Sequence, residues 1–191
     1  MIPTAPGGVL ALGLLALAPT AGATAEEARV YVVDPARSQI RFHASSRLMD
    51  ADGTFGRFSG EIRFDETRPE VAAARLTVEV ASIDTSIRMR DDHLRSEDFF
   101  HVERYPTATF VSSSVSREGE RWVVSGPLTI RGVTRPLTLS VTVSVVSGGI
   151  RVRAELAVDR QAFGIAYRSF LNPIRDEVRV WLDLIATPPP G

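Results

Sequence analysis

Residues 137–145 read LTLSVTVSV. Leu137, Leu139, Val141, Val143 and Val145 alternate with Thr138, Ser140, Thr142 and Ser144, so the period is two and not the 3.6 of a helix. Successive side chains of a strand point to opposite faces, which gives this segment one apolar face and one face suited to water.

The same alternation recurs along the chain from Arg29 onward. Ile40, Phe42 and Ala44 flank Arg41 and His43, and Phe58, Gly60, Ile62 and Phe64 alternate with polar residues. Leu76, Val78 and Val80 follow, then Ile150 to Val158 and Val178 to Leu184 in the same manner. Two further strands are expected over 107–116 and 121–130. Strands wet on one face belong to antiparallel sheets, since parallel sheets are covered on both sides. Asp52-Gly53, Glu118-Gly119 and Gly148-Gly149 stand between runs as hairpin turns. Pro69, Pro106, Pro127 and Pro136 are expected at strand ends or edges, where a missing N–H is tolerated. No tandem repeat or long linker divides the chain, which reads as one domain.

One segment departs from the pattern. Residues 86–101 read SIRMRDDHLRSEDFFH, dense in charge, with Arg88 and Asp92, and Arg90 and Leu94, spaced as neighbours on a helix. The expected fold class is therefore all-β: a single antiparallel β-barrel of about eight strands, with a short helical lid segment near one mouth. Closure also removes the unpaired edges that so many strands would expose. Adjacent carboxylates at Asp91 and Asp92 point about 100° apart on a helix and cannot share a proton. A surface role, or pairing with Arg88 and Arg95, suits them better.

Composition narrows the chemistry. The chain has 191 residues, a formal net charge of -1 and a 44% hydrophobic content. That balance lacks the basic excess of a nucleic-acid groove. With no cysteine, disulfides, thiolate metal sites and Cys nucleophiles are excluded. All 22 basic residues are arginine, so a Schiff-base lysine and a Walker-type phosphate lysine are excluded too.

Residues 1–25 carry no charged side chain, and Val9 to Ala18 form an apolar run too short to span a bilayer. Pro19 and the small residues Ala21-Gly22-Ala23 follow it. Residues 1–23 are expected to be a signal peptide, removed after Ala23 or, as a second choice, after Ala25. An uncleaved anchor or a buried N-terminal helix is the alternative. Residues 24–191 are then expected to form the domain, with no membrane span, and the protein is expected to be exported.

No Ser lies in a G-x-S-x-G elbow, and His43, His93 and His101 are the only histidines. Nothing positions a nucleophile, and no enzyme activity or cofactor is expected. His93, Glu97 and His101 are spaced by four and would share one face of a continuous helix as zinc-ligand types. They serve equally well as a solvated face, and Phe99-Phe100 suggests that the helix ends there. Phe42, Phe58, Phe64, Phe110 and Phe163 lie near small residues such as Ala44, Gly60, Ala108, Ala154 and Gly164. This mixture fits both a filled barrel and one with a cavity.

Several motifs resemble one family. They are Asp34 with Ser38, Ile40 and Phe42; Gly56, Phe58 and Gly60; Ser82-Ile83-Asp84-Thr85; and the segment from Arg90 to Phe100. Tyr105-Pro106, Phe110, the stretch from Gly126 to Pro136 and the stretch from Asp159 to Ile165 complete them. Together they resemble the YceI-like family of bacterial proteins, the polyisoprenoid-binding, lipocalin-like domain, over about Arg29 to Ala186. The resemblance implies an extended barrel around a long apolar tunnel, a periplasmic or secreted location, and a single-chain amphiphile such as a polyprenyl diphosphate or a quinone tail as ligand. On this reading Phe42, Phe58, Ile62, Val78 and Ile83 line the tunnel, with Leu94 and Phe99 from the lid. Phe110, Leu128, Phe163 and Leu182 line it from the later strands. Arg88, Arg90 and Arg95 would meet the head group, or else pair with Asp91, Asp92, Glu97 and Asp98. Where many members carry a Lys-His pair, this chain has Ser45-Ser46 followed by Arg47. Two other classes remain in view: a lipid- or metal-dependent enzyme using His93 and His101, and a stress-linked interaction module. An apolar outer strip would serve a homodimer.

Overall fold

Each alternating run forms a strand. In the computed structural model, which describes residues 28–189, the elements are β1 (Arg29–Val33), β2 (Gln39–Ser46), β3 (Ala51–Phe55), β4 (Phe58–Phe64), β5 (Ala73–Glu79) and β6 (Ile83–Asp84). Then come α1 (Arg88–Arg95), β7 (Thr107–Val111), β8 (Ser114–Glu118), β9 (Arg121–Ile130), β10 (Val133–Val146), β11 (Gly149–Asp159) and β12 (Ile174–Thr187). The signal peptide expected over residues 1–23 lies outside the described residues.

Eight strands close into an antiparallel barrel in the order β1-β4-β5-β7-β9-β10-β11-β12, with β12 returning to β1 through Val32↔Thr187 and Val33↔Ala186. A 3₁₀ turn at Pro35–Arg37, capped by the Asp34 carboxylate accepting from the Ala36 N–H at 3.0 Å, bends the chain out of β1. β2 therefore continues along the same edge of β12, pairing Val178 to Asp183 with Ala44 to Gln39, and carries β3 and β6 beyond it. On β10 the odd-numbered residues from Leu137 to Val143 face the interior, as their alternation requires.

Three local expectations are corrected. Asp52-Gly53 is not a turn: both residues lie inside β3, with Gly53 opposite Phe42. A Cβ at Gly53 would stand 2.5 Å from Phe42 Cζ and 2.8 Å from the Asp84 carbonyl, so glycine is there to let the ring lie across the strand. The strand expected over 107–116 is two strands, because β7 pairs with both β5 and β9, whereas β8 pairs with β9 alone. Between them the Ser112 N–H donates to Ala74 O at 2.8 Å and the Ser113 N–H to Ser125 O at 2.7 Å. Pro127 and Pro136 take the second of the places expected of them, a locally unpaired edge and not a strand end, and face each other within β9 and β10. Neither has an N–H to give, so they occupy a non-hydrogen-bonded position, and both nitrogens point away from the pair. Pro127 thus falls where β9 changes partner from β7 to β8, and Pro136 falls where β10 has not yet joined β11, which pairs from Val141 to Val146. Finally, the two-residue loops of the later hairpins sit one residue away from expectation, between Glu118 and Arg121 and between Val146 and Gly149.

Where β10 and β11 part, a 3₁₀ turn at Gln161–Phe163 fills the gap and buries Phe163. Arg135 Nε donates to Ala162 O at 3.2 Å, and Arg131 donates to the carbonyls of Gly164 and Glu97, fastening this turn to the lid side.

On the outer face, Arg151 grips Asp183 with two bonds of 2.7 and 2.6 Å between β11 and β12. This hydrogen-bonded pair holds the Asp183 carboxyl below its ordinary range. Asp65 is held low as well, by the Thr67 hydroxyl, the Arg68 guanidinium and the Thr67 N–H. Carboxyl groups depressed in the folded state stabilise it above the unfolded value of about 3.9, and that stabilisation is lost as pH falls further. Thermal melts should therefore show stability declining below about pH 4. Asp183→Asn should lower the midpoint at pH 7 and reduce its fall between neutral and acid pH. An unchanged acid dependence would show that Asp183 takes no part in it.

Candidate functional site

The barrel is hollow. A cavity of about 550 Å³ runs along it, walled by apolar side chains from every barrel strand and from β2 and β3. Val33, Ile40, Ile62, Leu76, Phe110, Val124, Leu139, Val152 and Leu182 illustrate how each strand contributes the residues of its dry face. Away from the lid, Phe64 and Trp122 pack edge to face with ring centroids 5.0 Å apart, and Trp122 is buried with Val124, Val141 and Ala154. At the lid end the wall is irregular and is made by β3, α1 and the loops 47–50 and 166–173.

Of the residues expected along the tunnel, Phe42, Ile62, Val78, Ile83, Leu94, Phe99, Phe110, Leu128, Phe163 and Leu182 all line the cavity. Phe58 does not. Its ring is buried in a cluster with Val33, Ile40, Ile150, Leu184 and Ala186, where β1 and β2 meet β12. Several lining residues were not anticipated: Phe55, Phe100, Trp122, Arg160 and Tyr167. Phe55 was hidden by reading its neighbours as a turn. Trp122 had the right parity within its run and could have been found.

The lid is shorter than the spacing of its charges suggested. α1 ends at Arg95, and the Ser96 hydroxyl donates to His93 O at 2.8 Å. His101 then takes a left-handed φ of 49° and packs against Tyr105, with ring centroids 5.8 Å apart. His93, Glu97 and His101 therefore do not share a helical face, and among the described residues no group of three or more His, Asp or Glu side chains could hold a metal ion. His93 does reach the cavity. It lies edge-on to Phe99 and Tyr167, each 4.9 Å away, and hydrogen-bonds Asp98 at 3.2 Å.

The lid charges are mostly engaged within the protein. Asp91 is not a surface group: it is buried and accepts from the Thr85 N–H at 2.9 Å and the Thr85 hydroxyl at 2.5 Å. Arg90 lines the cavity, yet it donates to the Thr85 hydroxyl and carbonyl at 2.8 and 3.0 Å and to Asp50 O at 3.4 Å. Arg95 donates to Ala81 O and Ile83 O and pairs with Asp92. Arg88 is almost fully exposed, 3.9 Å from Asp92, and does not line the cavity.

Arg160 is the deepest cation. Nε donates to Arg175 O at 3.2 Å, Nη1 to Ile165 O and Tyr167 O at 2.7 and 3.0 Å, and Nη2 to Ile174 O and Asp176 Oδ1 at 3.1 and 2.9 Å. A guanidinium has five N–H donors, so none is left for a ligand. Its work is to hold the loop 166–173 against the start of β12.

The YceI-like domain family profile matches residues 31–186. The chain belongs to this family. Among relatives, protein YceI of Escherichia coli is 45% identical over 87 residues, and a UPF0312 protein of Photorhabdus laumondii is 48% identical over 88. Each of these matches spans 46% of this chain and 46% of the relative, about half the length of either. Among solved structures, Burkholderia cenocepacia BcnA is similar with a TM-score of 0.77 and 31% identity, covering 81% of this chain and 99% of BcnA. A polyisoprenoid binding domain from Saccharophagus degradans shares the fold with a TM-score of 0.67 and 23% identity, covering 83% of this chain and 98% of its own.

Removing the Arg160 clamp from this YceI-like domain should loosen the mouth. Arg160→Leu leaves several loop carbonyls without a donor and is expected to cost about 3 kcal/mol or more, read by urea denaturation. Arg160→Lys should recover only part of this, because one ammonium cannot reach acceptors spread over the guanidinium fork. A lysine variant as stable as the original would refute the clamp.

Proposed function

We propose that this YceI-like domain binds and carries a single-chain lipid of the polyisoprenoid class in the barrel interior, as part of an exported protein without enzymatic activity. The observation that carries the reading is the cavity: about 550 Å³, apolar along its walls, with the deeply buried Arg160 fully committed. Such a space offers a ligand hydrophobic burial and little else. Each buried CH₂ contributes about 0.8 kcal/mol. A five-carbon chain then gains roughly 4 kcal/mol, no more than the lower estimate for the cost of association. A fifteen-carbon chain gains about 12 kcal/mol and binds. Length decides affinity here.

The engaged lid arginines favour a weakly polar head, such as a quinone or an alcohol, over a diphosphate. Arg90 and Arg95 each give two donors to backbone carbonyls and a third to the Thr85 hydroxyl or to Asp92, and Arg88 stands outside the cavity. Catalysis through His93 and His101 has no geometric support, since His93 is at the cavity and His101 is against Tyr105.

Protein purified without denaturation should release a long-chain apolar compound into organic solvent, detectable by mass spectrometry. Affinity for prenyl alcohols should climb steeply from five to fifteen carbons and then level off. Ala44→Phe and Ala108→Phe place rings in the cavity and should abolish binding while leaving the far-ultraviolet circular dichroism intact. Filled variants that still load ligand would refute the site, and His101→Ala should load normally. Export makes a separate prediction: the mature protein, recovered from the periplasm or medium, should begin at Thr24. Recovery from the cytoplasm with residues 1–23 attached would overturn it.

A further inference from the structure

Large apolar side chains on a protein surface are usually scattered singly. Here four gather on two loops: Leu48, Met49, Phe170 and Leu171 are 71%, 64%, 98% and 77% exposed. The loops are tied together, with the Leu48 N–H donating to Asn172 Oδ1 at 2.8 Å and the Arg47 N–H to Pro173 O at 3.2 Å. They are also part of the cavity wall, since Met49, Ser169 and Asn172 line it. α1 adds Met89, 81% exposed, beside Arg90, whose Nη1 reaches Asp50 O at 3.4 Å. The apolar tips therefore crown the mouth of the cavity, at the end away from the Phe64–Trp122 pair.

Two cations stand beside the loop tips. Arg47 precedes Leu48, and Arg168 stands two residues before Phe170; both are exposed, and neither makes an ion pair among the described residues. The acid on the same rim, Asp50, is half exposed but engaged within the protein, accepting the Ser46 N–H at 2.8 Å and lying 3.7 Å from His43 Nε2. Apolar tips flanked by free guanidinium groups match one kind of surface, in which acyl chains lie beneath a layer of phosphate.

We infer that loops 47–50 and 166–173 dock the cavity mouth on an anionic lipid bilayer, so that a ligand chain passes between membrane and barrel without crossing bulk water. This rests on the lipid-carrying reading of the cavity. Co-sedimentation of the protein with vesicles of phosphatidylglycerol and phosphatidylethanolamine tests it, alongside vesicles of phosphatidylcholine alone. The protein should pellet with the anionic vesicles, less so at high salt and less so with phosphatidylcholine. The double variant Phe170→Ser, Leu171→Ser should bind at least tenfold more weakly, and Arg47→Gln, Arg168→Gln should lose most of the salt dependence. Both should keep normal circular dichroism and a normal load of extractable ligand. Failure of the unaltered protein to pellet, or equal pelleting of the serine variant, overturns docking and leaves the cavity reading standing. A dimer in native mass spectrometry that the serine variant dissociates, without any change in vesicle binding, also overturns it in favour of a second copy. Normal docking by a protein that never loads ligand would instead refute the carrier reading.

Discussion

Closure of the sheet between β1 and β12 is the constraint on which the rest depends. Two residue pairs, Val32↔Thr187 and Val33↔Ala186, complete the ring, and Val33 and Ala186 are buried there with Ile40, Ile150 and Leu184. Once eight strands form a ring, their inward faces share a space whose width the strand number sets. Side-chain size then decides what remains of it. Phe64 and Trp122 fill the space away from the lid, with Ala154 making room beside the indole. Elsewhere Ala44, Ala51, Ala74 and Ala108 line the wall and leave volume unfilled. The cavity is thus a consequence of closure combined with small residues on dry faces.

Most of the barrel was legible because alternation is a local signal with a global cause: one face of each strand is dry. Residues 137–143 read as inward or outward from parity alone, and they point that way. Parity does not say what an inward residue meets. Phe58 shares the dry face of β4 with Ile62, yet β1 and β2 cover it before it reaches the cavity. Asp52-Gly53 has the chemistry of a turn, and what places it in a strand is the ring of Phe42 from the neighbouring strand, which no local reading contains. The spacing of His93, Glu97 and His101 was real, but a helix persists only while its backbone does, and α1 stops at Arg95. Family resemblance supplied the tunnel where pattern left filled and hollow barrels equal. It marked the stretch from Asp159 to Ile165 but gave Arg160 no role, because a charged residue reads as surface until the remote carbonyls around it are known.

Those carbonyls explain a compositional oddity. Regular strands satisfy their own backbone groups, whereas the lid end is built from short turns and loops that leave carbonyls to be paired. Arg90, Arg95, Arg131, Arg135 and Arg160 all donate to such carbonyls. A guanidinium can tie two or more chain segments from one planar fork, while an ammonium presents three donors at a single point. An arginine-only chain is well supplied for this task. The same use of charge shapes the site, because a cation saturated by backbone oxygens costs little to bury and offers little to a ligand. Selection in the interior then falls to length and cross-section, and polar discrimination is pushed outward to the rim, where Arg47, Arg88 and Arg168 remain exposed.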